Sequence, residues 1–303
     1  MPAFFTYDST IRVEDVKDLI ANVSIRKTPF TSSIGTAEAD DTEHKWMTDT
    51  YAASADNAGA EGSDPTYPAL TDPSKVSNIT QIIRKPIQIT FSKMNVRHHG
   101  MSDNWAYQKV KKTIELKKDL ELAAIFGTIA SGTGSAGRRM KGLISFITSY
   151  KDGSSYSGKQ LSPTIFAVLG QNIWTNSDLL GGNVLVGAYQ KRRISENFAG
   201  FDSNARRVID MGLRKVEIPV DTVVSDFGTY EIQLSNDVNT VAAGTIASYQ
   251  PDFHKIAYLR NSAPQAIEYA MTGLARKGEV WTEATLEVHN EATNGAIQNL
   301  ATS

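Results

Sequence analysis

Two segments with a strict β alternation enclose a stretch that has almost nothing to bury. In 43–51, His44, Trp46, Thr48 and Thr50 alternate with Glu43, Lys45, Met47, Asp49 and Tyr51. In 78–94, Ile87, Ile89 and Phe91 alternate with Gln88, Thr90 and Ser92, and Pro86 marks a bulge or a sheet edge. Between them runs AASADNAGAEGSDPTYPALTDPS, rich in Gly, Pro, Ala and Asp. Loops of this length inside compact domains are uncommon and are either functional or disordered. Two readings follow: a disordered surface insertion, or an extended two-stranded arm. A lone hairpin is marginally stable in water, so an arm needs a second surface, which a neighbouring subunit can supply.

The next segment, SDNWAYQKVKKTIELKKDLELAAIF (102–126), predicts a long helix. Ser102 is the expected N-cap, with Asp103 in the first turn where negative charge suits the helix dipole. Ala106, Val110, Ile114, Ala124 and Ile125 share one face, and Trp105, Leu116, Leu120 and Ala123 an adjoining one. Lys111, Lys112, Glu115, Lys118 and Asp119 lie opposite, with Lys111 and Glu115 at ion-pair spacing. The charged stripe mixes signs, whereas a DNA-binding stripe would be uniformly basic. It reads as a solvated face or as a charged contact with another subunit. The apolar sector takes up about half the wheel, so this helix is expected to be packed from more than one side.

Other elements are legible locally. Arg12–Asn22 carries Val13, Val16, Leu19 and Ile20 on one helical face. Ser162-Pro163 is an N-cap followed by proline at the first helical position, and Ile165, Phe166, Leu169, Ile173 and Trp174 recur at helical spacing. Asn183–Gly187 reads as a buried strand, followed by a helix over Tyr189–Phe198 with Lys191, Arg192 and Arg193 exposed. Arg214–Leu234 reads as a hairpin turning at SDFGT. Glu279–Asn290 is a strand with Thr282, Ala284, Leu286 and Val288 on one side. Helices and antiparallel strands interleave without a βαβ rhythm, which predicts an α+β fold.

Composition removes several functional classes. The 303 residues carry 31 Lys+Arg against 33 Asp+Glu, a formal net charge of −2. A protein that grips DNA through its phosphates needs surplus cations. With no cysteine, disulfides and thiolate metal sites are excluded. The start has no basic n-region and its apolar run ends at Tyr7, so no signal peptide is expected. No apolar run approaches the roughly 20 residues that a membrane helix needs.

Chemical motifs are few. Gly132, Gly134 and Gly137 match GxGxxG, and Asp152 lies near the distance of a ribose-binding acid. That fingerprint works where a strand delivers the glycines to a helix N-terminus. Here a long helix precedes them and no helix is evident after them, so a link between helix and strand is the better reading. A nucleotide-binding enzyme built on this segment is the alternative of a different class. Arg138, Arg139 and Lys141 follow, as a solvated basic loop or as a contact with a phosphate or a neighbour's carboxylate. His44, His98, His99, His254 and His289 show no metal-ligand spacing. On an extended segment His98 and His99 point to opposite faces. Neither a nucleophile elbow nor a catalytic carboxylate pair stands out, so no enzyme and no cofactor is expected.

The ordered series DVKDLIANVSIRKTPFTSSIG, GAEG, SNITQIIRKPIQIT, YQKVKKTIELKKDLELAAIFG with RRMKGLISFI, VVSDFGTYEIQLS, AYLR and EVWTEATLEVHNEATNGAI resembles the major capsid (major head) protein family of tailed bacteriophages, from about Asp15 to Leu300. The resemblance implies the Hong Kong ninety-seven-type capsid fold. It places an N-terminal arm at 1–41, an extended β-hairpin loop at 42–94, a peripheral domain with a spine helix at 95–158, an axial domain at 159–249 and a return to the peripheral domain at 250–303. It implies hexamers and pentamers of identical subunits in an icosahedral shell, weak non-specific contact with packaged double-stranded DNA, and portal, scaffolding and decoration proteins as further partners. The location it implies is the virion, with assembly in the host cytoplasm. Candidate subunit contacts are Trp46, Asn57, Glu61 and Tyr67 on the arm, Lys111, Glu115 and Lys118 on the spine helix, and Arg138 and Arg139 after it. A cellular encapsulin-type compartment shares the fold and is the closest alternative. No lysine or asparagine here matches the pattern of covalently crosslinked shells, so crosslinks are not expected.

Overall fold

A computed structural model describes residues 28–65, 67, 69–96, 103–198, 221–271 and 273–302. In chain order the elements begin with α1 (Pro29–Ser33), β1 (Gly35–Ala39), β2 (Glu43–Thr48), β3 (Ser74–Ile79), β4 (Gln81–Thr90), α2 (Phe91–Asn95) and α3 (Asn104–Phe126). There follow α4 (Leu143–Phe146), β5 (Lys151–Asp152), α5 (Pro163–Ser177), β6 (Gly182–Val186), α6 (Ala188–Phe198), β7 (Thr222–Ser225), β8 (Gly228–Leu234) and α7 (Asn236–Val241). The chain closes with β9 (Ile246–Tyr249), β10 (His254–Leu259), β11 (Gln265–Glu268), β12 (Ala275–Val288) and β13 (Gly295–Ile297). The expected helix at Arg12–Asn22, the pair His98-His99 and the first half of the hairpin at Arg214–Leu234 lie outside the described residues.

The strands form two mixed sheets and one separate hairpin, an α+β architecture. The first sheet is organised on β12. Its fourteen residues pair antiparallel with β4 along one edge, and with β11 and then β10 along the other. β1 adds to β10 in parallel. Pro86 sits inside β4, opposite Glu279. β4 pairs only with β12, so it is a sheet edge, where a residue without an N–H is tolerated. The expected continuation of this strand through Phe91 fails, because Phe91 opens the short helix α2.

The second sheet runs β5-β13-β9-β6-β8-β7. The SDFGT turn joins β7 to β8, with Gly228 at φ +104° where a side chain would be strained. Sheet membership does not follow the expected division at residue 250. β10, β11 and β12 belong to the first sheet, and β13 returns to the second, between β9 and β5.

α3 lies against β4 and β12 through Trp105, Leu116 and Leu120, all buried. It starts one residue later than its expected cap implies. Asp103, not Ser102, is the N-cap, and its carboxylate accepts from the Trp105 and Ala106 amides at 2.8 and 3.3 Å. The expected apolar face is only half covered. Ala124 and Ile125 are buried, but Val110 and Ile114 are 63% and 42% exposed. On the second sheet, Ser162 caps α5 as expected by accepting from the Ile165 amide at 3.3 Å. Ile165, Phe166, Leu169 and Ile173 are buried there, whereas Trp174 stays largely exposed.

Three contacts join the start of the described residues to both sheets. Glu121 on α3 is fully buried and accepts from the amides of Phe30 and Thr31, each at 2.8 Å. Phe30 packs edge-on to Tyr249, with ring centroids 4.9 Å apart. His254 lies against both rings and donates from Nδ1 to the Gln250 carbonyl at 2.7 Å.

Candidate subunit interface

The alternation in β2 survives because water selects it. His44, Trp46 and Thr48 turn inward, and Glu43, Lys45 and Met47 outward. β2 pairs antiparallel with β3 over six residues, from Glu43 opposite Ile79 to Thr48 opposite Ser74. The base of this hairpin is pegged to the first sheet. Trp46 is buried and donates from Nε1 to the Val288 carbonyl at 2.9 Å. Its ring lies near His44 and Phe146. Asn78 is buried too. Its amide donates to the Lys141 and Leu286 carbonyls at 3.0 and 2.7 Å, and its Oδ1 accepts from the Lys141 amide at 2.8 Å.

Beyond this base the hairpin carries no core of its own. Every described residue from 49 to 75 is exposed. The backbone closes one turn, where the Ser63 amide donates to Ala60 and Gly62 has φ +80°. Tyr67 is 89% and Leu70 97% exposed. An apolar side chain of that size gains about 1.5–3 kcal/mol when it leaves water. Of the expected contacts, Asn57, Glu61 and Tyr67 are gathered on this loop and open to solvent. Trp46 faces into its own subunit.

The α3 stripe divides in a similar way. Lys111 is exposed, while Glu115 and Lys118 are half-buried. Glu115 pairs with Lys112 at 2.7 Å, one turn away, and not with Lys111 as expected. Partial burial pushes the Glu115 carboxyl up, but the hydrogen bond and charge of Lys112 outweigh it, so the net shift is downward. Asp119 meets Lys85 of β4. Arg138 is engaged inside the subunit, bonding Glu283 at 2.6 Å. Arg139 remains exposed. On α6, Lys191 departs from the expected exposed set. Its side chain is mostly covered and pairs with Asp221 at 2.8 Å.

The side expected of β12 is buried, but beyond Thr282 the opposite side is buried too. Glu283, Thr285 and Glu287 are buried alongside Thr282, Ala284, Leu286 and Val288. Glu283 takes a hydrogen bond from Thr80 at 2.5 Å as well as the one from Arg138. Glu287 lies 3.4 Å from His44 and 3.0 Å from His289. Thr80, Arg138 and His44 are remote in sequence from these carboxylates, so a local pattern could not disclose them.

The glycine-rich segment is a turn. The Thr133 amide donates to Ala136 at 2.9 Å, and Ala130 and Arg139 exchange backbone hydrogen bonds across it. It follows α3 and precedes the four-residue α4, so it lacks the strand and helix that a dinucleotide site requires. Among the described residues no group of three or more His, Asp or Glu could hold a metal ion. No helix there is long and apolar enough to cross a membrane.

A profile of the SU10 major capsid protein family matches residues 3–301. The major capsid protein of Escherichia phage Phieco32 is 30% identical over 125 residues, which cover 41% of this chain and only 36% of that protein. Among solved structures, the capsid of Myoviridae phage XM1 superposes with a TM-score of 0.66 at 11% identity, covering 99% of both chains. The holo-SrpI encapsulin complex from Synechococcus elongatus PCC 7942 gives 0.63 at 9% identity, covering 100% of this chain and 98% of the other. Identities this low speak for the fold alone, which is that of tailed-phage capsid proteins. The profile covers nearly the whole sequence, and the chain therefore belongs to the SU10 major capsid protein family.

Proposed function

We propose that copies of this chain assemble as hexamers and pentamers into the icosahedral head shell of a tailed bacteriophage, enclosing double-stranded DNA. The observation that carries this reading is the hairpin of β2 and β3. Its base is pegged by Trp46 and Asn78, while Tyr67 and Leu70 stand in water. Such a segment gains its missing contacts from identical neighbours. In this reading Asn57, Glu61 and Tyr67 touch the next subunit, and Lys111 and Arg139 supply charged contacts at its rim. The first sheet with α3 forms the peripheral part, and the second sheet the axial part. The near-neutral net charge suits a wall that contains DNA without holding it tightly.

Electron microscopy of the purified chain, with an assay for nucleic acid in particles from infected cells, tests the proposal. Closed icosahedral shells that hold double-stranded DNA are expected. Shells that hold only enzyme cargo would establish the encapsulin reading. A chain that stays monomeric across salt and concentration series would overturn both.

A further inference from the structure

The first turns of α3 border a cleft of about 270 Å³ that subunit contacts alone do not explain. Its apolar wall is Ile87 and Ile89 of β4, and its polar wall is Lys93 of α2 with Asn104, Gln108 and Lys112 of α3. The last three recur at every fourth residue, so the helix presents them on one face. Asn104 is only 8% exposed, yet its carboxamide has no hydrogen-bond partner among the described residues. A carboxamide that has left water without a new partner is costly, and a ligand in the cleft would supply the missing bond. The charge around the cleft says which ligand. Lys93 and Lys112 line it, and Lys112 is positioned by Glu115 at 2.7 Å. Arg84 on β4 and Lys109 and Lys111 on α3 add cations to the same two elements. The carboxylates nearby in sequence are engaged. Asp103 holds the Trp105 and Ala106 amides, and Asp119 meets Lys85.

We infer that this cleft holds a backbone phosphate of the packaged DNA duplex. The inference rests on the shell reading and turns the flank of α3 beside β4 toward the inside of the shell. Lysine and carboxamide side chains are among the groups that commonly hold backbone phosphates. Ile87 and Ile89 suit the sugar carbons beside that phosphate. With one such cleft in each subunit the contact is weak and blind to sequence, in keeping with a net charge of −2.

Fluorescence anisotropy of a labelled duplex of about 12 base pairs, titrated with unassembled full-length subunits in about 50 mM salt, reads the contact. Gln108→Glu adds one negative charge to the cleft and should weaken binding at least about fivefold. Lys75→Glu on β3 changes the charge by two units outside the cleft and should weaken it less than about twofold. Gln108 is half-buried, and Lys75 and Lys93 are exposed, so all three positions tolerate the exchange. Lys93→Gln should lower the slope of log K against log salt by about 1. The side-chain NH₂ resonances of Asn104 should shift as duplex is added. Equal weakening by Gln108→Glu and Lys75→Glu would overturn the inference, since the attraction would then be spread over the surface. A peptide of residues 49–75 that displaced the duplex at an equal or lower concentration would give the cleft to the arm of a second copy and overturn it as well. Absence of duplex binding by a chain whose shells hold DNA would sink the cleft assignment and leave the shell reading standing. Shells that hold no DNA would remove both.

Discussion

His254 is a base held where a charge is expensive. It is fully buried between Phe30 and Tyr249, and its Nε2 has no hydrogen-bond partner among the described residues. Burial pushes its pKa down from 6.5 to about 4, against the Gln250 carbonyl that favours the proton, and His289 adds a smaller push in the same direction. Between these two values the unfolded chain binds more protons at this position than the folded one. Stability from this residue is therefore complete above pH 6.5 and is lost as pH falls toward 4, by about 3 kcal/mol in all. Glu121 leans the other way. Burial raises its carboxyl against the hydrogen bonds from Thr31 and Phe30, so its own contribution improves on acidification and offsets part of the loss. We predict that His254→Gln is less stable than the parent at pH 7 but has a flatter stability profile from pH 6.5 to 4. Denaturant unfolding at four or five pH values reads this directly. Parallel profiles would show that the acid sensitivity lies elsewhere.

At the scale of an element, α3 offers a comparison between two leucines of one turn, two residues apart and on opposite sides of the helix. Leu120 is 3% exposed against the first sheet, whereas Leu122 is 39% exposed. Leu120→Asp places an unpaired charge in the core and should cost roughly 3 kcal/mol or more. Leu122→Asp should change stability by less than about 1 kcal/mol. Thermal melting of the two variants decides the matter, and equal losses would mean that the helix is rotated from the orientation described. The sequence disclosed that α3 exists and which residues face the sheet, because Trp105, Leu116 and Leu120 mark one side of a regular wheel. It did not disclose which part of a broad apolar sector stays uncovered. Val110 and Ile114 look like core on the wheel, and only the position of the neighbouring elements leaves them bare. The buried carboxylates of β12 were hidden for the same reason. Glu283 is tolerated inside by Arg138 and Thr80, more than a hundred residues away. The arm was legible in outline, since Glu43–Thr48 shows its alternation openly. That Trp46 serves as its peg depends on Val288, which no local pattern relates to it.

At the scale of the whole molecule, removing 52–73 should leave a subunit that folds and assembles poorly. None of the loop's described residues is buried, so circular dichroism and melting should match the parent while light scattering shows little shell formation. A deletion that unfolds the subunit would show that the arm belongs to the core after all. The way this arm is tied in also sets how it bears load. β3 continues into β4 through Thr80 alone, and β4 is paired with β12 over ten consecutive residues. Ladder hydrogen bonds lie across the strands. A pull on the loop directed along β3 and β4 therefore shears that ladder, straining its bonds together, where a sideways peel would break them one after another. The arm is fastened like a strap sewn along its length, strongest in the direction in which it extends.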